Sequence, residues 1–166
     1  MKPKYIKAHM EVAGTYAKLS TARRLQVGAL IVKEDRIISI GYNGMPSGWN
    51  NNCEDIVFVP ESAAKDHDTM VAEGYTFGVD KDTAGWVKSV TKPEVLHAEA
   101  NAIAKVARSP ESAEGAVVFV THAPCIECAK LIYQSGIKQV FYRDNYRSEA
   151  GIDFLKQAGV TINKVE

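Results

Sequence analysis

The sequence predicts one α/β domain, a three-layer α/β/α sandwich around a mixed five-stranded sheet. Two observations predict this fold. Five short runs rich in β-branched and other apolar residues read as strands, and segments with helical apolar spacing lie before, between and after them. At 166 residues the chain can bury one substantial core, and such an alternation places helices on both faces of a sheet. The predicted strands span 27–33, 36–41, 116–121, 138–142 and 160–165.

The first elements are predicted to be a helix and a β-hairpin. Apolar residues recur at helical spacing over 4–19, which indicates an amphipathic helix. The strands 27–33 and 36–41 are joined by Glu34-Asp35, which favours a hairpin. Glycines and a proline then indicate a shaped loop over 42–52.

We predict that the whole chain, 1–166, is a single domain with an insertion at about 50–95. Within this insertion the polar segment 61–73 is expected to be helical and to be followed by a glycine-rich stretch, with no strand. The insertion is longer than an ordinary connection, and long segments of compact enzymes often act as lids or binding elements.

The second half alternates helices and strands. One helix is expected to begin at His97, and a second at Cys125, because Pro124 precedes it and proline favours the first turn of a helix. The strand 116–121 lies between them, and the helix 149–158 lies between the last two strands. This order brings the starts of two helices together.

Three residues at these helix starts predict a zinc site. His97, Cys125 and Cys128 offer one imidazole and two thiols, which suit zinc better than magnesium or calcium. Three protein ligands leave the fourth tetrahedral position open, as in catalytic zinc sites. Glu99 is placed to act as the base for a water at that position. The stretch therefore predicts a hydrolytic zinc site.

Other interpretations of the two cysteines explain less. A Cys-x-x-Cys pair also occurs in redox sites and in zinc ribbons. A ribbon needs a second pair, and the only other cysteine is Cys53. A redox pair would leave His97 and Glu99 unexplained. Together, His-x-Glu and Pro-Cys-x-x-Cys form the known signature of zinc-dependent nucleobase deaminases.

Composition favours a soluble, cytoplasmic protein that acts on small molecules. Twenty basic and twenty acidic residues give a net charge of zero, which argues against a nucleic-acid partner. No apolar run approaches 18 residues and no signal peptide is recognisable, so no membrane association is expected.

These motifs resemble the cytidine/deoxycytidylate deaminase superfamily, and within it the deoxycytidylate (dCMP) deaminases. Three further segments carry the closer resemblance: Gln26-Val27-Gly28-Ala29, Gly41-Tyr42-Asn43-Gly44-Met45-Pro46-Ser47-Gly48, and Cys125 to Ile132 with Gly136-Ile137-Lys138. The resemblance implies a cytidine deaminase-like fold, bound Zn²⁺, and hydrolysis of dCMP to dUMP and ammonia. It also implies a homo-hexamer that supplies dUMP for thymidylate synthesis, is activated by dCTP, and is inhibited by dTTP with Mg²⁺.

The resemblance also implies roles for individual residues. Substrate contacts are expected from Arg24, Asn43, Ala98 and Tyr146, with Arg24 preferred over Arg23 for the phosphate. Effector contacts are expected from Gly41, Tyr42, Asn43 and Gly44. Some relatives hold a second zinc near Cys53, but the expected partner position here is Leu19 or Ser20, neither of which is a zinc ligand.

Three other functions remain open at this point. A tRNA adenosine deaminase and a deaminase of free cytidine or guanine share the same metal residues. An inactive nucleotide sensor would share the fold, but it would not need to retain Glu99.

Overall fold

In the computed structural model, residues 1–80 and 83–165 are described, and within them the chain forms five α-helices and eight strands. The helices are α1 (Pro3–Ala17), α2 (His67–Ala72), α3 (Ala98–Ala107), α4 (Ile126–Gln134) and α5 (Ala150–Gln157). The strands are β1 (Gly28–Lys33), β2 (Arg36–Tyr42), β3 (Glu54–Pro60), β4 (Thr76–Asp80), β5 (Thr83–Thr91), β6 (Val117–His122), β7 (Gln139–Asp144) and β8 (Thr161–Lys164). None of the described helices combines the length and the apolar character needed to cross a bilayer.

The five predicted strands form one mixed sheet, which confirms the predicted fold class. Its strand order is β2-β1-β6-β7-β8. The pairs β1–β2 and β1–β6 are antiparallel, whereas β6–β7 and β7–β8 are parallel. The parallel pairs are connected through α4 and α5, as crossover connections require.

Alternate residues of the central strands face two different helical layers. Leu30 and Phe119 pack with Met10 of α1 on one face of the sheet. Ile31 and Val118 pack on the other face, against the layer formed by α3, α4 and α5. All four strand residues are fully or almost fully buried, so the sheet is covered on both sides.

Two glycines allow the elements around the future site to approach closely. A Cβ on Gly41 would lie 2.0 Å from the carbonyl oxygen of Ala98, so β2 touches the first turn of α3. A Cβ on Gly151 would lie 2.0 Å from the carbonyl oxygen of Pro124, so α5 rests on the chain just before α4. Neither position has room for a larger residue.

The insertion differs from its prediction, because it contains a second sheet. Strands β3, β5 and β4 form a three-stranded antiparallel sheet in that order. Of the expected helix 61–73, only a 3₁₀ turn, Glu61–Ala63, and α2 are helical. Pro60 is tolerated because it is the last residue of β3, which is an edge strand of this sheet. The prediction of a strand-free insertion was therefore wrong.

Candidate active site

Two helix starts bring the three predicted metal ligands together. His97 is the N-cap of α3, Cys125 is the N-cap of α4, and Cys128 lies in the first turn of α4. The Nδ1 atom of His97 is 3.5 Å from Sγ of Cys125 and 3.3 Å from Sγ of Cys128. All three ligand atoms lie within 4.8 Å of one another.

This arrangement fits a zinc ion. Zinc bonds of about 2.3 Å to sulfur and about 2.0 Å to nitrogen place tetrahedral N and S ligands about 3.5 Å apart. The distances between His97 and the two cysteines match that separation. Among the described residues this is also the one group of three or more histidine, cysteine and acidic side chains that is arranged to hold an ion.

The two thiols are coupled to each other and to His97 through hydrogen bonds. The hydrogen bond from the Cys128 thiol, and then that with His97, lower the pKa of Cys125 to about 3. The same thiol–thiol hydrogen bond, together with burial, raises the pKa of Cys128. The hydrogen bond to Cys125 raises the pKa of His97. A lowered pKa favours the thiolate, which is the form in which cysteine binds zinc.

Glu99 lies in the first turn of α3 and is almost completely buried, with 5% of the residue exposed. Burial raises the pKa of its carboxyl group. The carboxyl group lies close enough to His97 and Cys128 to interact with both. A buried carboxyl group beside an open metal position can accept a proton and return it.

One cavity contains both the metal-site residues and every predicted substrate residue. It is lined by His97, Glu99 and Cys125 at the metal site and by Arg24, Asn43, Ala98 and Tyr146 around it. The cavity opens beyond the carboxyl end of β6, where sites of α/β proteins commonly form. The structure thus brings together residues that are far apart in the sequence.

Arg24 and Arg23 point to different places. The Nη1 atom of Arg24 donates a hydrogen bond to Oγ1 of Thr91 at 3.3 Å, and both side chains line the cavity. The guanidinium group of Arg23 instead donates to Oδ1 of Asn52 at 2.8 Å. Of the two, only Arg24 lines the cavity.

Asn43 lines the cavity, and its side-chain amide also holds the neighbouring backbone. Its Oδ1 atom accepts a hydrogen bond from the N–H group of Val27, and its Nδ2 atom donates to the carbonyl oxygen of Leu25, both at 2.8 Å. Asn43 therefore holds the backbone of residues 25–27 in place, and this segment forms part of the cavity wall.

The predicted effector residues are divided by the structure. Tyr42, Asn43 and Gly44 line a second groove, together with Trp49 and others of the same loop. Gly41 does not line this groove, because its backbone is packed against Ala98. Gly41 thus has a packing contact, and its effector contact stays a prediction.

Two titratable residues that line the cavity, His122 and Glu54, were not predicted from the sequence. His122 ends β6, and burial lowers the pKa of its imidazole. Its position three residues before Cys125 is the signal that could have revealed it. Glu54 begins β3 in the insertion, where no motif marks it.

Cys53, the third cysteine of the chain, lies in a different environment from the other two. Cys53 is fully buried, and its Sγ atom lies 3.4 Å from Oγ1 of Thr21. It belongs to no group of possible metal ligands in the described part of the chain. The structure gives no support to a second zinc at this position.

Comparisons with known proteins agree with this site. The family described as the cytidine and deoxycytidylate deaminase zinc-binding region matches residues 3–144. ComE operon protein 2 of Bacillus subtilis is 36% identical over 89% of this chain, which spans 64% of that protein. Deoxycytidylate deaminase of phage T4 is 36% identical over 94% of this chain and 87% of its own length.

A solved structure is similar over its whole length. The crystal structure of dCMP deaminase from the cyanophage S-TIM5, in complex with dCMP and dUMP, is 37% identical and covers 99% of both chains, with a TM-score of 0.76. This chain therefore belongs to the cytidine and deoxycytidylate deaminase family and is a hydrolytic deaminase.

Proposed function

We propose that this chain converts dCMP and water to dUMP and ammonia, with Zn²⁺ as its catalytic metal. The observation that carries the proposal is the single cavity lined by a buried acid, an arginine and two of the three clustered metal ligands, His97 and Cys125. The similarity to a cyanophage enzyme whose crystal structure contains dCMP and dUMP supports this choice of substrate.

The residues divide the chemistry between them. Zinc held by His97, Cys125 and Cys128 would supply the nucleophile, because zinc lowers the pKa of water from about 15.7 to about 7. Glu99 accepts a proton from the attacking water and delivers it to N3 of the cytosine ring. Oxygen adds at C4, and Glu99 then carries the remaining hydroxyl proton to the amino group, so that the C4–N4 bond breaks, ammonia leaves and the C4 carbonyl forms. The burial of Glu99 keeps this proton transfer away from bulk water.

Arg24 is proposed to bind the phosphate group. It lines the cavity and also a neighbouring groove that contains Lys88 and Arg147, together with the acidic Glu73. Arginine suits this task because its planar guanidinium group pairs with phosphate through two hydrogen bonds. Tyr146 lines the cavity, and the guanidinium group of Arg147 lies 5.5 Å from the centre of the Tyr146 ring. Tyr146 therefore links the cavity to that groove.

We also propose that dCTP activates the enzyme and that dTTP with Mg²⁺ inhibits it, in a homo-hexamer that supplies dUMP for thymidylate synthesis. The groove at Tyr42 and Gly44 supports an effector site close to the metal. The backbone of Gly44 exchanges hydrogen bonds of 3.1 and 2.9 Å with Leu96, the neighbour of the metal ligand His97. A movement of this loop would therefore displace Leu96, and through it the adjacent His97.

The test is ammonia release from dCMP, CMP, deoxycytidine and a tRNA anticodon stem, each measured alone, with dCTP, and with dTTP and Mg²⁺. Release from dCMP alone, increased by dCTP, is the expected result. If neither dCTP nor dTTP changes the activity on dCMP, the proposed regulation is refuted, whereas the proposed reaction still holds. Activity on the tRNA stem without activity on dCMP would refute the substrate.

A substitution tests the phosphate contact separately. Arg24→Gln should lower kcat/KM for dCMP by about 10- to 100-fold, the size of a lost charged hydrogen bond, and leave that for deoxycytidine unchanged. Arg36→Gln, at an exposed arginine that pairs with Glu111, is the matched control. Equal losses on both substrates for Arg24→Gln would contradict a phosphate contact.

A further inference from the structure

We propose that Glu54 recognises the sugar of the substrate by accepting a hydrogen bond from its 3′-hydroxyl group. The inference rests on the proposed function, because it takes a 5′-phosphorylated deoxynucleotide as the substrate. It adds to that function a residue from the insertion, which carries none of the motif residues.

The Glu54 carboxyl group is buried and held in a fixed position. Its side chain is 1% exposed. Its Oε1 atom accepts hydrogen bonds from two successive backbone N–H groups, that of Arg23 at 2.9 Å and that of Arg24 at 3.3 Å. These two hydrogen bonds to one oxygen fix the orientation of the carboxyl group, and with it the position of the second oxygen.

That second oxygen, Oε2, has no hydrogen-bond partner among the described residues, although it is buried. The nearest cationic atom is Nε of Arg23 at 4.0 Å, which is beyond hydrogen-bond distance, and the Arg23 side chain is 67% exposed. Buried polar atoms without a partner are rare in folded proteins, and each one calls for an explanation. Because Glu54 lines the catalytic cavity, a bound ligand can supply the missing donor.

The position of Glu54 along the cavity limits which part of the ligand it meets. Glu54 pairs in register with Thr91 across the β3–β5 ladder. Thr91 in turn accepts the hydrogen bond of the Arg24 side chain. Glu54 therefore belongs to the Arg24 end of the cavity, whereas Glu99 and the metal ligands form the other end.

The chemistry of the ligand then selects one group. The reacting base must lie beside Glu99, and the phosphate is assigned to Arg24, so the sugar lies between them. A 5′-phosphorylated 2′-deoxynucleotide has one sugar hydroxyl, at the 3′ position. An ionised carboxylate only accepts hydrogen bonds, and this hydroxyl is the donor that the sugar offers. We therefore assign the Oε2 atom of Glu54 to the 3′-hydroxyl.

The first measurement needs no variant. The wild-type enzyme is assayed for kcat/KM with dCMP and with 2′,3′-dideoxy-CMP, which lacks only the 3′-hydroxyl. The expected preference for dCMP is about 10- to 100-fold, as for a hydrogen bond to a charged group. Equal kcat/KM values for the two substrates would overturn the assignment.

The second measurement uses Glu54→Gln, which keeps one oxygen for the backbone N–H groups and replaces the other by an amide. The preference for dCMP should fall by about 5- to 10-fold, mainly through a lower kcat/KM for dCMP, because the amide can offer the hydroxyl group only a weaker, neutral hydrogen bond. If Glu54 had a purely structural role, the substitution would lower kcat/KM equally for dCMP and for dideoxy-CMP. The preference for dCMP would then stay intact, and this result would also overturn the assignment. Asp55→Asn is the matched control, because Asp55 is the exposed neighbour on the same strand and pairs with Lys92.

The result separates this inference from the proposed function. A wild-type enzyme that does not deaminate dCMP refutes the proposed function, and the inference with it. A wild-type enzyme that deaminates dCMP and dideoxy-CMP equally well refutes only the role of Glu54.

Discussion

A methyl group added at Gly41 should disturb the active site by displacing α3, the helix that carries Glu99. In Gly41→Ala the new Cβ would lie 2.0 Å from the carbonyl oxygen of Ala98 and 2.7 Å from the backbone nitrogen of Ala102. Both are backbone atoms of α3, so no side chain can turn away. An ordinary contact begins at 3.4 Å, and α3 must therefore move from β2 by about 1.4 Å.

This shift has two measurable effects. Overpacking of this kind typically lowers the free energy of unfolding by about 1–3 kcal/mol. The same turn of α3 carries His97 and Glu99, and a displacement of about 1 Å can cost about 100-fold in turnover. Urea unfolding of the zinc-loaded protein measures the first effect, and kcat with dCMP measures the second.

Gly44→Ala is the control for stability, because a Cβ at Gly44 meets nothing within 4 Å. It should unfold within about 0.5 kcal/mol of the wild type, as substitutions at unstrained, open positions do. If Gly41→Ala were equally stable and fully active, the packing role of Gly41 would be refuted. A changed response to dCTP at unchanged stability would instead favour the effector contact predicted from the sequence.

Three further substitutions test the site. Glu99→Gln should keep stoichiometric zinc and lose at least about 100-fold in kcat, because the proton carrier is gone; a zinc-loaded variant with wild-type turnover would disprove the assignment. Cys125→Ala should hold less than stoichiometric zinc by metal analysis, since two protein ligands remain; full occupancy would contradict its role as a ligand. Burial lowers the pKa of His122, so its neutral form stabilises the fold fully above about pH 6.5, and that contribution is lost as pH falls through the folded-state pKa. The free energy of unfolding should therefore fall more between pH 7.5 and 5.5 in the wild type than in His122→Asn, and parallel losses would argue against a buried neutral imidazole.

The metal site could be predicted because its signals are local. His97 and Cys125 occupy the two N-caps that the helical spacing and Pro124 indicated. The centre of the main sheet was predictable for a similar reason, since β1 and β6 are continuous apolar runs buried on both faces.

The second sheet escaped prediction because most of its residues are only partly buried or exposed. Trp86 of β5 packs against Phe77 of β4 and His67 of α2, with ring centroids 5.4 and 5.3 Å apart. Much of the remaining surface is exposed, including Ile56 and Val79, so burial does not impose a clear pattern on the strands. The run Ile56-Val57-Phe58-Val59 was the signal that could have indicated a strand.

Glu54 and Arg24 show what a sequence pattern cannot supply. Their neighbourhood depends on the β3–β5 register and on backbone N–H groups about thirty positions away. No spacing rule connects such residues. Only the folded chain reveals that an acidic residue of the insertion lines the catalytic cavity.

The support that α5 gives to the metal loop limits how far the motif can be transplanted. Gly151 lies beyond residues 3–144, the part matched by the family, yet the missing side chain lets α5 rest on the backbone of Pro124 and Cys125. A protein cut after residue 144 would retain all three ligands and Glu99 but lose the surface that holds Cys125 in place. An engineered copy of the deaminase motif in another scaffold would thus need a substitute for this helix as much as the motif residues themselves.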